Sequence, residues 1–310
     1  MNAIIRRELK GYFDSLMGFG IIGAFVVLMM LLSLLLDPLS QGGDWFKRGE
    51  LSMRTFFGIF PWVAAVVVPA VSMRLWAEDR RQATFELLMT LPIPTWKVAL
   101  GKYLAGLVFL AAMLGATVFY PIMLAALGSP DWGPVFGGYV ACFLLGAAFL
   151  AIGLFLSGLT ENQALAFFLA MLICLGMVGL GQLRGFFGEI ARSNPNAALV
   201  HVITLPIVGL AVLAAAVARD RAVGGAAVTL GLILNAGVYL FGSDAPGDTV
   251  RGMTAQGESV VAALAQVSVL DHFREIERGV VYTNGLVFFV SVIVLFVLLN
   301  VWSLESRRYT

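Results

Sequence analysis

Long stretches without a charged residue constrain this 310-residue chain more than any other feature of its sequence. A membrane-spanning helix needs about 20 mostly apolar residues, and one charge at the bilayer centre costs about 2.5–3.5 kcal/mol. The amino acids are 60% hydrophobic and 13% charged, whereas a soluble domain has about 45–50% apolar and about 25% charged residues. The sequence therefore predicts an all-α polytopic membrane protein, with residues 1–310 forming a single transmembrane domain.

Eight stretches are predicted spans because charged residues are absent from them. They are residues 16–36, 55–73, 103–127, 134–156, 163–183, 198–218, 222–242 and 281–304. The sixth and seventh are rich in Ala and Gly and are joined by the tight turn Arg219-Asp220-Arg221. These two stretches therefore form either two full spans or a re-entrant hairpin.

The first 14 residues predict an amphipathic helix that lies on the membrane surface. Ile5, Leu9 and Tyr12 recur at helical spacing, and the basic residues occupy another face. The alternative is a charged flank that only anchors the first span.

Lys and Arg are distributed unevenly between the two sides of the membrane. With eight spans both termini lie on one side, and 12 of the 20 basic residues fall on that side. Because basic residues are in excess in cytoplasmic loops, we expect both termini to be cytoplasmic.

The most highly charged part of the chain lies between the second and third spans. This polar segment, residues 74–102, holds five basic and three acidic residues. Residues 79–90 are predicted to form a helix, which Pro92 and Pro94 must end. The product is a charged knob that either fits a groove of a partner or is a solvated loop stabilised by its own salt bridges.

Three residues near the start of the third span carry local predictions. Thr95 is expected to be the N-cap of the helix that enters the membrane. Lys97 and Lys102 are expected to extend their ammonium groups to the lipid boundary.

The longest segment on the opposite side, residues 243–280, predicts a Gly-rich loop followed by a helix over 260–279. Leu264, Val267, Leu270 and Phe273 form one apolar stripe of that helix. It is either an outer gate, with His272, Phe273 and Arg278 as its site residues, or a packed lid without a role in transport.

Several catalytic and nucleotide-binding motifs do not occur. The sequence has no His-Glu-x-x-His, no Gly-x-Ser-x-Gly and no acidic residue within a predicted span. Gly101-Lys102 lacks the other residues of a phosphate-binding loop. We therefore expect no catalytic site and no metal site. Cys142 and Cys174 lie in apolar stretches and are interpreted as packing residues.

A membrane-embedded transferase is the enzymatic alternative. Its polar groups would be Asp271, His272, Glu275 and Glu277. Neighbouring Asp and His side chains point in different directions on a helix, which disfavours a paired catalytic site.

Residues 73–106, MRLWAEDRRQATFELLMTLPIPTWKVALGKYLAG, resemble the signature of ABC-transporter permeases of the type-2 exporter superfamily. The shared features are an acidic-basic cluster from Glu78 to Arg81, Thr-x-Glu-Leu-Leu beginning at Thr84, Pro92, and Gly101-Lys102. The C-terminal part is similar to gliding-motility-associated and nitrous-oxide-reductase-maturation permeases. That similarity consists of His272-Phe273, Arg278-Gly279 and the terminal residues 303–308.

The resemblance implies a permease subunit that has no ATPase of its own. Such permeases usually have six spans, so residues 194–242 are expected to be an inserted helical hairpin. The implied partners are separate ABC ATPase subunits, a second copy of this chain or a related permease, and the bilayer of a bacterial cytoplasmic (inner) membrane. They can include a periplasmic accessory protein, and they do not include nucleic acid.

The resemblance also implies where the ATPase would bind. Residues 74–97 would carry the main coupling helix, and residues 157–162 a second contact. The implied coupling residues are Glu78, Asp79, Arg80, Arg81, Thr84, Glu86, Thr90, Pro92, Lys97 and Glu161. ATP and Mg would bind to the ATPase, so no cofactor is expected on this chain. Export and a mechanical, scaffold-like role on envelope proteins would use the same segment, so both stay open, as does the substrate.

Overall fold

The computed structural model describes residues 2–14, 16–36, 53–90, 92–127, 130–193, 268–277, 279 and 283–306. These residues form eleven α-helices and no strand. In chain order the helices are α1 (Asn2–Phe13), α2 (Leu16–Leu36), α3 (Arg54–Ser72), α4 (Arg74–Arg81), α5 (Thr84–Thr90), α6 (Thr95–Ala116), α7 (Phe119–Leu127), α8 (Trp132–Leu159), α9 (Gln163–Ser193), α10 (Val269–Glu277) and α11 (Thr283–Ser306). Backbone contacts divide the chain into two compact units, residues 1–178 with 269–310 and residues 179–268. The packing described below belongs to the first unit.

Five helical stretches of the described chain are long and apolar enough to cross a membrane. They are Arg54–Arg81, Thr95–Ala126, Trp132–Leu159, Gln163–Gln182 and Thr283–Ser306. A sixth is added if the bent pair Ile4–Phe13 and Gly18–Ser33 is one span. The all-α polytopic prediction is confirmed. The predicted spans 198–218 and 222–242, with the whole inserted hairpin 194–242, lie outside the described residues, so the count of eight stays a prediction.

Helix α8 occupies the centre of the first unit. It has no charged residue between Trp132 and Leu159. A helix that is apolar on every side is typically buried within a protein or spans a membrane. Helices α3, α4, α6, α10 and α11 all pack against it. Helices α4 and α6, which carry the first and last parts of the polar segment, are therefore both in contact with one central helix.

Two glycines of α8 let α3 approach closely. A Cβ atom at Gly138 would lie 2.2 Å from the ring of Phe57, and one at Gly153 would lie 1.8 Å from the Oγ of Ser72. Small residues at such positions are typical of interfaces between membrane helices. The contact between α3 and α8 thus depends on the absence of side chains at these two positions.

Helix α1 is present as predicted, and its apolar face packs on α6 and α2. The ring of Tyr12 stacks on Phe109 with the centroids 4.6 Å apart, and its hydroxyl donates to the carbonyl of Val71 at 3.2 Å. Arg6 and Lys10 are exposed. The helix is therefore fixed to the bundle on one face and polar on the other.

Helix α10 covers the end of the unit at which α3, α8 and α11 begin. The ring of Phe273 is buried and lies parallel to that of Phe60, with the centroids 6.4 Å apart. A Cβ atom at Gly137 of α8 would lie 2.7 Å from the carbonyl oxygen of Ile276. The predicted apolar stripe thus packs on the bundle, at Leu270 and Phe273. Its earlier residues, 260–267, lie outside the described part of the chain.

Candidate functional site

The polar segment begins with two short helices rather than the single helix predicted over residues 79–90. Helix α4 ends at Arg81 and α5 begins at Thr84. In the turn between them Ala83 has a φ of 56°, a left-handed conformation that is unfavourable for a residue with a Cβ atom. The prediction of one continuous helix is therefore wrong, and no Gly or Pro marks the break.

Replacing Ala83 by glycine is expected to raise the free energy of unfolding by about 0.5–1 kcal/mol, because glycine adopts a positive φ without steric cost. The matched control is Ala111→Gly in the helical, exposed middle of α6, where glycine should instead destabilise the protein by about 1 kcal/mol. Equilibrium unfolding in mixed micelles of mild detergent and dodecyl sulfate would measure both. Equal destabilisation by the two variants would contradict the left-handed turn.

Lys102 lies inside the protein, among charged groups from two other helices. Its side chain is 1% exposed, and Nζ lies 2.6 Å from Oδ2 of Asp79 and 2.8 Å from Oε1 of Glu8. Nζ also donates to the carbonyl of Leu75 at 2.5 Å, and it lies 4.9 Å from the ring centroid of Trp76. The prediction that Lys102 extends to the lipid boundary is wrong, because two carboxylates inside the protein bind its ammonium group.

Arg7 completes this group. Its Nη2 lies 2.7 Å from Oε1 of Glu8 and 3.2 Å from Oδ1 of Asp79, and the hydroxyl of Thr84 donates to the same Oδ1 at 3.1 Å. Two cations and two carboxylates therefore balance, as buried charges must. We term Arg7, Glu8, Asp79 and Lys102 the charge cluster. It joins α1, α4 and α6 at one point.

Ser157, near the end of α8, fixes the junction between α3 and α4. Its hydroxyl donates to the carbonyl of Met73 at 2.8 Å and accepts from the backbone N–H groups of Trp76 and Ala77, both at 3.1 Å. Met73, at the N-cap of α4, makes no side-chain capping hydrogen bond. A hydroxyl from a distant helix therefore binds N–H groups that a local N-cap residue would otherwise bind.

Glu78 connects the polar segment to Gln163, the residue directly after the second predicted ATPase contact, residues 157–162. Its carboxylate lies 2.9 Å from Nη2 of Arg81 and accepts from Nε2 of Gln82 at 2.6 Å and from Nε2 of Gln163, the first residue of α9. The structure thus brings the two predicted contacts together.

The other predicted coupling residues divide between packed and exposed positions. The guanidinium of Arg80 lies 4.5 Å from the ring centroid of Phe85. Thr90, Pro92 and Glu161 are exposed. Glu86 belongs to α5, and its side chain lies outside the described part of the structure.

The start of α6 differs from its prediction in one respect. Thr95 is the first residue of the helix, after Pro94, and makes no capping hydrogen bond. Its hydroxyl instead donates to Oε1 of Glu305, near the end of α11, at 2.8 Å. The predicted N-cap at Thr95 is therefore wrong. Lys97 is half-buried, with Nζ 5.4 Å from the ring centroid of Trp96.

The predicted outer residues His272 and Phe273 lie on α10, at the other end of the unit from the polar segment. The ring of His272 stacks on that of Phe288 with the centroids 4.2 Å apart, and Phe273 is buried against Phe60. Arg278 lies outside the described residues. Among the residues that the structure describes, no three His, Cys, Asp or Glu side chains form a group that could hold a metal ion.

Sequence reasoning missed three residues that the site requires. The sequence places Arg7 and Glu8 in a predicted surface helix and Ser157 in the second predicted ATPase contact, but it predicts none of their contacts with the polar segment. One available signal was that Lys102 directly precedes a 25-residue stretch without charge, where a lysine needs either lipid headgroups or an internal carboxylate. Its partners cannot be inferred locally, because Glu8 lies 94 residues away in the sequence.

Comparison with known proteins identifies the family. A model of the ABC-2 family transporter proteins matches residues 4–195. The match includes α1, the polar segment, the charge cluster and residues 157–162. Comparison with individually curated proteins gave no match. The matched family supplies membrane subunits that work with ABC ATPase subunits. The chain therefore belongs to the ABC-2 family transporter proteins and is a multi-pass membrane permease component of an ABC transporter.

Proposed function

We propose that this permease couples ATP binding and hydrolysis on a separate ATPase to movement of its spans, and that the polar segment and residues 157–162 form the ATPase docking surface. The observation that carries this proposal is the two-sided character of the segment. Its outer side exposes Arg81 and Thr90. Its inner side buries Trp76 and Asp79 against the bundle.

The inner side has separate attachments to several spans. Ser157 binds the start of α4 to α8, Lys102 binds α4 to α6, and Thr95 binds the start of α6 to α11. Helix α3 continues into α4 after a single residue, Met73. A force applied to the exposed side would therefore reach four spans through short polar contacts, as a coupling element requires.

The proposal also assigns the site of ATP binding and the movement of the permease subunits. ATP and Mg would bind to the partner, and two permease subunits would rock against each other when the ATPase pair closes. The excess of Lys and Arg on one side supports cytoplasmic termini, which places the polar segment in the compartment that contains ATP. The cargo, or a mechanical action on envelope proteins, would be decided elsewhere in the complex.

Co-purification tests the docking surface directly. The tagged chain would be solubilised from its native membrane, and the ATPase that accompanies it quantified per permease. Glu86→Arg and Glu161→Arg are expected to reduce the bound ATPase at least about tenfold, which corresponds to about 1.4 kcal/mol of binding free energy. Under this proposal Glu86 and Glu161 face basic groups of the ATPase, and an arginine placed opposite those groups would repel them.

The matched control is Glu275→Arg, an exposed glutamate of α10 at the other end of the unit, which should leave the amount of ATPase unchanged. Wild-type permease that carries no ATPase under any nucleotide condition would overturn the proposed function. Equal binding by all three variants would overturn the assignment of the docking surface.

A further inference from the structure

We propose that Arg7 and Glu8 are positioning residues that make α1 move together with the polar segment, so that ATPase closure drives the first span as well as the second and third. This inference rests on the proposed function. It is carried by the charge cluster, in which one pair of charges belongs to α1 and the other pair to α4 and α6.

The charge cluster resists separation of α1 from the segment. Lys102 is almost completely buried, and one of its two carboxylate partners is Glu8 of α1. Asp79, of which 12% of the side chain is exposed, lies 3.2 Å from Arg7 of the same helix. Movement of α1 alone would leave buried charges with fewer partners, which is strongly unfavourable. Joint movement keeps every contact.

A third contact attaches α1 at its other end. The hydroxyl of Tyr12 donates to the carbonyl of Val71, one turn before α4 begins. The two attachments lie more than one helical turn apart on α1, at residues 7–8 and at residue 12. They therefore restrict rotation of α1 relative to the segment as well as translation.

The short connection between α1 and α2 would deliver this movement to the first span. Helix α1 ends at Phe13 and α2 begins at Leu16. The backbone N–H of Asp14 still donates to the carbonyl of Lys10, at 2.7 Å, which continues the last turn of α1. Only a short length of chain therefore separates the surface helix from the span.

Distances between spin labels test the inference in the assembled complex. Cys142 and Cys174, which are buried, would be replaced by alanine. Cysteines would be introduced at two pairs of exposed positions, Lys10 with Gln82 and Gln82 with Phe136. Labelled permease, diluted with unlabelled permease and purified with its ATPase, would be compared without nucleotide and with vanadate-trapped ATP. Each labelled permease must retain its ATPase.

The expected result is that the Gln82–Phe136 distance changes by about 2 Å or more between the two states, whereas the Lys10–Gln82 distance does not. In the double variant Arg7→Gln/Glu8→Gln the Lys10–Gln82 distance should change as well. This variant removes one charge of each sign and keeps the Lys102–Asp79 ion pair, so the buried charges still balance. The control is Arg6→Gln, on the exposed face of the same helix, which should behave as wild type.

The outcomes separate the inference from the proposed function. If both wild-type distances change equally, α1 does not follow the segment, and the inference is wrong while the proposed function stands. If Arg7→Gln/Glu8→Gln behaves as wild type, these two residues do not hold α1 and the inference is also wrong. If the Gln82–Phe136 distance is the same in both states, the segment and α8 move as one body, and closure has no separate movement of the segment to pass to α1. The inference is then wrong, while the proposed function, which rocking of whole subunits also satisfies, stands.

Discussion

Replacing Lys102 by methionine is expected to lower the free energy of unfolding by about 3–5 kcal/mol, the typical cost of removing one partner from a buried ion pair. Methionine fills much of the same volume, so the loss arises from charge rather than from a cavity. Glu8 and Asp79 would keep Arg7 as a cationic partner, and the side chain of Arg7 is 49% exposed. Equilibrium unfolding in mixed micelles would measure the change.

Two further variants separate the charge cluster from a general effect of losing a lysine. Lys97→Met, in the first turn of the same helix α6, should change the free energy of unfolding by less than about 0.5 kcal/mol, because Lys97 is half-buried and its ammonium group lies over the ring of Trp96. Lys102→Met/Glu8→Gln should recover much of the stability by restoring the balance of charge. Equal losses in Lys102→Met and Lys97→Met would contradict the buried ion pairs.

The hydrophobic pattern predicted the helical architecture well. A charge-free stretch such as 134–156 has few alternatives to a helix, because backbone polar groups in lipid must be satisfied within the segment. The structure has α8 at this position, extended by a few residues at each end. The polar segment follows from the same reasoning, since eight charges between two apolar stretches are expected to lie outside the bilayer. Its position relative to the membrane stays a prediction.

The internal geometry of the site could not be predicted, because its determinants are not local. Thr95 is in a favourable position for an N-cap, but a carboxylate 210 residues later in the sequence binds its hydroxyl instead. From its local sequence alone, Lys102 is expected to extend its ammonium group to the lipid boundary. Its partners on α1 and α4 cannot be recognised from that local sequence. At Ala83 the backbone adopts a conformation that its own residue type disfavours, so the local sequence gives no signal of the turn.

The second large loss of stability is expected at a glycine in a helix contact rather than at a charged residue. Gly153→Ala is expected to destabilise the protein by about 3 kcal/mol, at the upper end of the usual cost of overpacking. The added Cβ atom would lie 1.8 Å from Oγ and 2.6 Å from Cβ of Ser72. Rotation of the Ser72 side chain cannot relieve the second overlap, so α3 itself must move away from α8.

That displacement would reach the polar segment. Ser72 is separated by Met73 alone from the start of α4, where Ser157 makes its three hydrogen bonds. Moving α3 by a few tenths of an ångström weakens these bonds, so Gly153→Ala should lower ATPase activity coupled to this subunit as well as stability. Unfolding in mixed micelles and ATP hydrolysis by the reconstituted complex would measure the two effects.

Gly115→Ala is the matched control, because a Cβ atom at Gly115 meets nothing within 4 Å. The higher helix propensity of alanine should leave that variant as stable as wild type or slightly more stable. Ser72→Gly combined with Gly153→Ala removes both overlapping atoms, and it should recover more stability than two independent substitutions would. If Gly153→Ala and Gly115→Ala are equally stable, α3 and α8 do not meet at Ser72. The attachment of the α3–α4 junction to α8 would then depend on the hydrogen bonds of Ser157 rather than on that helix contact.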